Sequence, residues 1–116
     1  MLAVTSPAER LQGTVDVLIL KTLAWKPMHG YAIAQFLSET TKGELAVEGA
    51  ALYQGLHRLE RKKLIRSRWG TSETKRRVRI YDLTAEGRAQ LAEETDGWKR
   101  YAAAVARVLA LREANA

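Results

Sequence analysis

Between Arg58 and Arg79 stand ten cations: Arg58, Arg61, Lys62, Lys63, Arg66, Arg68, Lys75, Arg76, Arg77 and Arg79. Only Glu60 and Glu73 oppose them, so this segment nets +8. The remaining residues, with nine cations and eleven carboxylates, net −2, and the 116-residue chain carries +6. A charge run by itself is often only a solvated face. One basic segment in an otherwise slightly acidic chain is the electrostatic pattern of a polyanion binder. The side chains add chemistry beyond charge. Gln54 offers the donor–acceptor pair that matches adenine, and Arg58 the two-pronged donor that matches guanine. Tyr53, His57, Arg61 and Lys62 share that stretch and can reach phosphates or base edges. Further on, Thr71, Ser72 and Thr74 precede three consecutive cations, Lys75, Arg76 and Arg77. Arginine is the side chain that suits narrow minor grooves.

Other chemistries lack their residues. There are no cysteines, and His29 and His57 are the only imidazoles, so neither a thiolate site nor a structural zinc site is expected. No Ser-His-Asp set, phosphate-cradling glycine loop or apolar carboxylate pair is present, so the chain is expected to be no enzyme and to need no cofactor. No window approaches the about 20 apolar residues of a membrane span, and the best run, Val15 to Leu20, contains Asp16. The N-terminus shows no secretory pattern, and a reducing, cytoplasmic setting is expected.

The elements that must position these groups follow from periodicity and breakers. Ser6-Pro7-Ala8-Glu9 has the form of a capping box and starts a short helical turn that stops near Gly13. Thr14 then caps a helix to about Trp25. Its Val15, Val17, Leu18, Ile19, Leu20, Leu23 and Ala24 occupy most of the circumference. A helix apolar nearly all round needs cover on more than one side, at a bundle centre or a subunit interface. Pro27 ends it. A second helix, from about Gly30 to Thr40, gathers Ile33, Ala34, Phe36 and Leu37 on one arc. A third, from Gly49 or Ala50 to about Lys63, repeats Leu52, Leu56 and Leu59. Its opposite face presents Ala50, Gln54, His57, Arg58 and Arg61, with Tyr53 at the edge, where it can serve packing or contact.

After Leu64 the period alternates. Ile65, Ser67 and Trp69 take one side of a strand, and Arg66 and Arg68 the other; Gly70 to Lys75 forms a turn; Val78 to Leu83 alternates again. This reads as a two-stranded hairpin. A last helix runs from Thr84 to about Arg112. Three helices, a hairpin and a helix make a mostly helical α+β chain with the layout of a winged helix-turn-helix. In that layout the third helix enters the major groove of DNA and the hairpin lies along the backbone or a minor groove. The expected division is an N-terminal arm or short helix over 1–12, the winged helix over 13–83 and a dimerisation helix over 84–116.

Several stretches carry a family resemblance. Gly13-Thr14-Val15-Asp16-Val17-Leu18-Ile19-Leu20 and Pro27-Met28-His29-Gly30-Tyr31 resemble the first helix and the following turn of the PadR family of bacterial transcriptional regulators. Ala51-Leu52-Tyr53, Leu56-His57-Arg58-Leu59-Glu60 and Leu64-Ile65 resemble its third helix and the start of its wing. Arg77 to Leu83 and then Thr84-Ala85-Glu86-Gly87 resemble its second wing strand and the start of its last helix. The resemblance implies repression of nearby genes, a homodimer, and in some members release by small aromatic or hydrophobic effectors; the two-fold symmetry of such a dimer in turn leads to the expectation of a palindromic operator. It also places Tyr31 and Tyr53 near DNA. With Ala51, these join Gln54, His57, Arg58, Arg61, Lys62, Lys75, Arg76, Arg77 and Arg79 as the expected DNA-contacting set. Two positions depart from the family, which usually has proline where Gln54 stands and glycine where Lys63 stands. Lysine does not favour the positive φ of a helix end.

Leu91, Thr95, Trp98, Ala102, Val105 and Leu109 follow a coiled-coil-like spacing, widened by Tyr101 and Val108. Leu18, Leu91, Trp98, Tyr101, Ala102, Val105 and Leu109 are the expected dimer interface. Trp98 has two readings, a buried dimer anchor or a stacking platform for an aromatic effector. A protein-interaction module would need an exposed apolar or acidic surface, and phosphate attraction alone does not separate DNA from RNA.

Overall fold

The computed structural model describes residues 7–47 and 49–114. Four helices and three short strands follow in the order α1 (Pro7–Trp25), β1 (Met28–His29), α2 (Gly30–Thr40), α3 (Gly49–Arg61), β2 (Ile65–Thr71), β3 (Arg77–Leu83) and α4 (Ala85–Leu109). The antiparallel sheet has the order β1-β3-β2. This is a winged helix with one long helix after the wing.

The expected break at Gly13 is absent, and α1 passes through it. A single glycine inside a helix costs about 1 kcal/mol, and the next turns of α1 recover it through burial. Val15, Val17, Ile19, Leu20 and Leu23 form the centre of the core, and α1 is packed by α2, α3, α4 and β3 of its own chain. The bundle-centre reading of this apolar helix therefore holds, with Leu18 half-buried at the edge of the core. Thr22, counted as polar from sequence, is buried because its hydroxyl donates to the Leu18 carbonyl at 2.8 Å.

The sheet has one strand more than the expected hairpin. Met28 and His29 pair with Tyr81 and Ile80, and two residues are too few for any alternation to show. His29 also caps α2, its Nδ1 accepting from the Ala32 N–H at 3.3 Å. The helix ends fall slightly short of expectation: α3 stops at Arg61 and α4 at Leu109.

The end of α3 is the tightest junction in the fold. Leu64 N–H bonds to Leu59 O and Lys63 N–H to Glu60 O, both at 3.0 Å. Those are the two bonds of a Schellman cap, which normally puts glycine at the position Lys63 holds. Lys63 nevertheless takes φ 62° there. Thr84 reaches back to the same turn. Its N–H bonds to Leu64 O at 3.1 Å, and its hydroxyl lies 2.8 Å from Lys63 O and 2.9 Å from Leu64 O. Thr84 also caps α4 by accepting from the Gly87 N–H at 3.0 Å. Gly87 packs so closely on this turn that a Cβ there would lie 1.9 Å from Leu64 O.

Two opposite changes in stability are expected from this junction, read by urea denaturation at fixed protein concentration. Gly87→Ala would drive its Cβ into the rigid Leu64 carbonyl, as well as against Leu83 Cδ1, and should cost about 4 kcal/mol or more. Lys63→Gly removes a left-handed lysine and should add about 0.5–1 kcal/mol. Equal stability of Gly87→Ala and the parent chain would show that α4 does not seat on the Leu64 carbonyl.

Candidate nucleic-acid interface

The solvent side of α3 carries Ala50, Tyr53, Gln54, His57 and Arg61, all exposed, as the wheel requires. Arg58 does not join them. Its guanidinium forks onto Asp16 of α1, with Nη2 2.7 Å from Oδ1 and Nε 3.5 Å from Oδ2, and both side chains are largely buried. The reason lies one turn back. Gly55 has no Cβ, and the space is filled by α1: a Cβ there would meet Ile19 Cδ1 at 2.9 Å and Val15 Cγ1 at 3.0 Å. At that distance the next outward position on the same flank, Arg58, comes within reach of Asp16. Ala51 is exposed. Lys62, just past the helix, borders a cleft of about 270 Å³ between α1, α3 and α4 that also includes Asp16, Gln90 and Glu94.

Tyr31 and Tyr53 line an open cleft between α2 and α3 with Gln35, Ser38 and Gly49. Tyr31 is 71% exposed and its ring lies 6.5 Å from His29. Tyr53 serves the packing purpose and keeps one side open. It is half-exposed, yet its ring covers Gly30, where a Cβ would meet the phenol oxygen at 3.1 Å.

Hairpin register sets what the wing presents. Ile65 pairs with Leu83, Ser67 with Tyr81, Trp69 with Arg79 and Thr71 with Arg77. Directly paired residues share a face, so this face is buried at its root and turns basic and aromatic toward the tip. Arg79 donates to Ser67 Oγ at 2.7 Å, and Ser67 Oγ donates to Glu60 Oε2 of α3 at 2.6 Å. Arg79 also lies 3.7 Å from that Glu60 oxygen. This chain of bonds ties the wing to the end of α3. Burial pushes the Tyr81 phenol beneath it above its ordinary pKa; Glu60 adds to the shift and Arg79 opposes it. At the tip, Lys75 N–H closes a turn on Ser72 O at 2.9 Å, and Lys75 itself takes φ 63°. Lys75, Arg76 and Arg77 are all exposed. On the other face, Arg66 faces Asp82 at 3.7 Å.

Of the expected DNA-contacting set, the structure thus leaves Tyr31, Ala51, Tyr53, Gln54, His57, Arg61, Lys62, Lys75, Arg76 and Arg77 open to solvent. It turns Arg58 inward and ties Arg79 to α3. Sequence reasoning missed Trp69. The ring is 53% exposed, with the guanidinium carbons of Arg77 and Arg79 at 4.3 and 5.2 Å from its centre. Alternation had placed Trp69 on the side of Ser67; the pairing with Arg79 was the missing step.

On α4, Leu91 is buried in the chain's own core and so leaves the expected interface stripe. Trp98, Tyr101, Val105, Val108 and Leu109 are exposed, as is Ala102. Trp98 and Tyr101 stack with ring centres 5.7 Å apart. Among the described residues no His, Asp and Glu group is arranged to hold a metal ion, and no helix is long and apolar enough to cross a membrane.

Residues 19–93 match the Transcriptional regulator PadR-like family. An uncharacterized protein of Lysinibacillus sphaericus is 31% identical over 88 residues, 76% of this chain and 81% of that protein. The solved structure of a transcriptional regulator from Clostridium thermocellum superposes with a TM-score of 0.76 at 27% identity, covering 85% of this chain and 96% of that one. A PadR family transcription regulator from hypervirulent Clostridium difficile superposes with a TM-score of 0.69 at 29% identity, covering 82% and 97%. With a winged helix, an open basic face on α3 and the wing, and a family match across most of both, the chain belongs to the PadR-like family of transcriptional regulators.

Proposed function

We propose that this regulator is a cytoplasmic homodimer that represses its target genes by binding a palindromic operator. In this reading, α3 lies in the major groove, where Gln54 reads a base edge and His57 and Arg61 support it. The wing cations Lys75, Arg76 and Arg77 hold the backbone or the adjacent minor groove, so they position while α3 specifies. The observation that supports it best is the exposed polar and basic set on these two elements, with the opposing carboxylates Asp16 and Glu60 held by Arg58 and Arg79.

The dimer reading rests on α4. Five large side chains, Trp98, Tyr101, Val105, Val108 and Leu109, stand exposed along it. Each gains about 1.5–3 kcal/mol on full burial. Pairing two chains about a two-fold axis covers these faces and presents two recognition helices to successive turns of DNA. The stacked Trp98 and Tyr101 pair also suits a small aromatic or hydrophobic effector that releases the DNA. A ligand of that kind quenches Trp98 and frees operator over one concentration range; quenching that persists in Trp98→Phe places the effector elsewhere.

With duplexes selected from random DNA, Gln54→Ala is expected to change base preference, while Arg58→Ala keeps preference and lowers thermal stability. A double-mutant cycle between Arg58 and Asp16 should give a coupling of about 1 kcal/mol, discounted for partial exposure. A shifted preference in Arg58→Ala with unchanged stability would return Arg58 to the reading face. In sedimentation equilibrium the chain should be a dimer at micromolar concentration and Val105→Asp with Leu109→Asp a folded monomer. A stable wild-type monomer removes both the dimer and the palindrome.

A further inference from the structure

The wing holds one large side chain that the contacts above do not use. Trp69 lies on the sheet face whose inner half, Ile65, Tyr81 and Leu83, is buried, yet its own ring is half in water. Its neighbours differ in what they are free to do. Arg79 is engaged by Ser67 and by Glu60 of α3, with its guanidinium carbon 5.2 Å from the ring centre. Arg77, with its guanidinium carbon 4.3 Å from the ring centre, has no carboxylate partner among the described residues. The indole N–H likewise has no acceptor among them. A neutral donor beside an unpaired guanidinium is a pair that matches the oxygens of one phosphate.

We propose that Trp69 and Arg77 together clamp a single phosphate of the duplex backbone, a sequence-independent anchor midway between α3 and the wing tip. The clamp rests on the DNA-binding reading of this chain. A base of single-stranded DNA stacked on the indole is the competing use of such a ring. The ring already lies against the Arg77 guanidinium, and the surrounding cations Arg61, Lys75 and Arg76 extend along the wing and α3 as a duplex backbone requires. Both features favour the phosphate.

Trp69→Phe keeps an aromatic ring at this exposed position and removes the indole N–H together with the five-membered ring that carries it. Its affinity for duplex should fall about tenfold, alike on selected and unrelated sequences, as for loss of a hydrogen bond to a charged group. The log–log salt slope should stay unchanged, because no cation is lost. Arg77→Ala should instead lower the slope by about 0.9, one released counterion. The emission change that duplex induces in the wild-type chain should be largely missing from Trp69→Phe. Wild-type affinity and an unaltered emission change in Trp69→Phe overturn the clamp and leave DNA binding standing. Emission that responds to single strands but not to duplex assigns the ring to base stacking and also overturns it. Failure of the wild-type chain to bind any duplex overturns the clamp and the DNA-binding reading together.

Discussion

The carbonyl of Leu64 sits where the three parts of this chain meet. It belongs to the turn that ends α3, it immediately precedes β2, and it accepts from Thr84 just before α4. Gly87 then leaves no room beside it for even one carbon. A carbonyl so enclosed cannot turn without breaking the cap of α3 or the seat of α4. The end of α3, the root of the wing and the direction of the long helix are thereby set by one turn. An exposed stripe on α4 can serve a partner only if that helix leaves the core at a fixed angle. This turn supplies that angle.

A second constraint orients α3 about its own axis. Gly55 lets α1 approach until Val15 and Ile19 fill the space of a missing Cβ, and the Asp16–Arg58 pair holds the flank beside it. At the far end, Glu60 receives Ser67, which receives Arg79. One carboxylate fixes α3 against α1, and the other fixes it against the wing. With α3 held at these two points, Gln54, His57 and Arg61 stand on its exposed side. Replacing either carboxylate pair by apolar residues could preserve stability, but it would lose the register between helix and wing.

Periodicity made the helices and the hairpin legible, because the Leu52, Leu56 and Leu59 repeat and the alternation after Leu64 reflect burial that the fold does supply. What stayed hidden depended on distances between segments far apart in the chain. A wheel placed Arg58 on the outer face because it contains no Asp16. Leu91 looked like part of an uncovered stripe because the reach of α4 over the core cannot be counted from α4 alone. The two residues of β1 are too few to carry a pattern, and the continuity of α1 through Gly13 rests on packing that local propensity does not describe. Lys63 went the other way. Lysine at a position where the family usually has glycine spoke against a positive φ there, and the turn adopts one all the same, against the preference of the side chain.

The basic segment is therefore less uniform than its net charge of +8 suggests. Two of its arginines neutralise carboxylates and shape the scaffold, and a third, Arg66, faces Asp82. These engaged cations contribute little to phosphate binding, since each has a counter-charge within the protein. The other seven, Arg61, Lys62, Lys63, Arg68, Lys75, Arg76 and Arg77, are exposed and have no carboxylate partner among the described residues. Affinity for a polyanion depends on the counterions that such unpaired cations displace, not on the total. The internal pairing of Arg58 and Arg79 thus separates two duties within one run of like charge. One set of cations fixes where the surface is, and the other is left open to solvent.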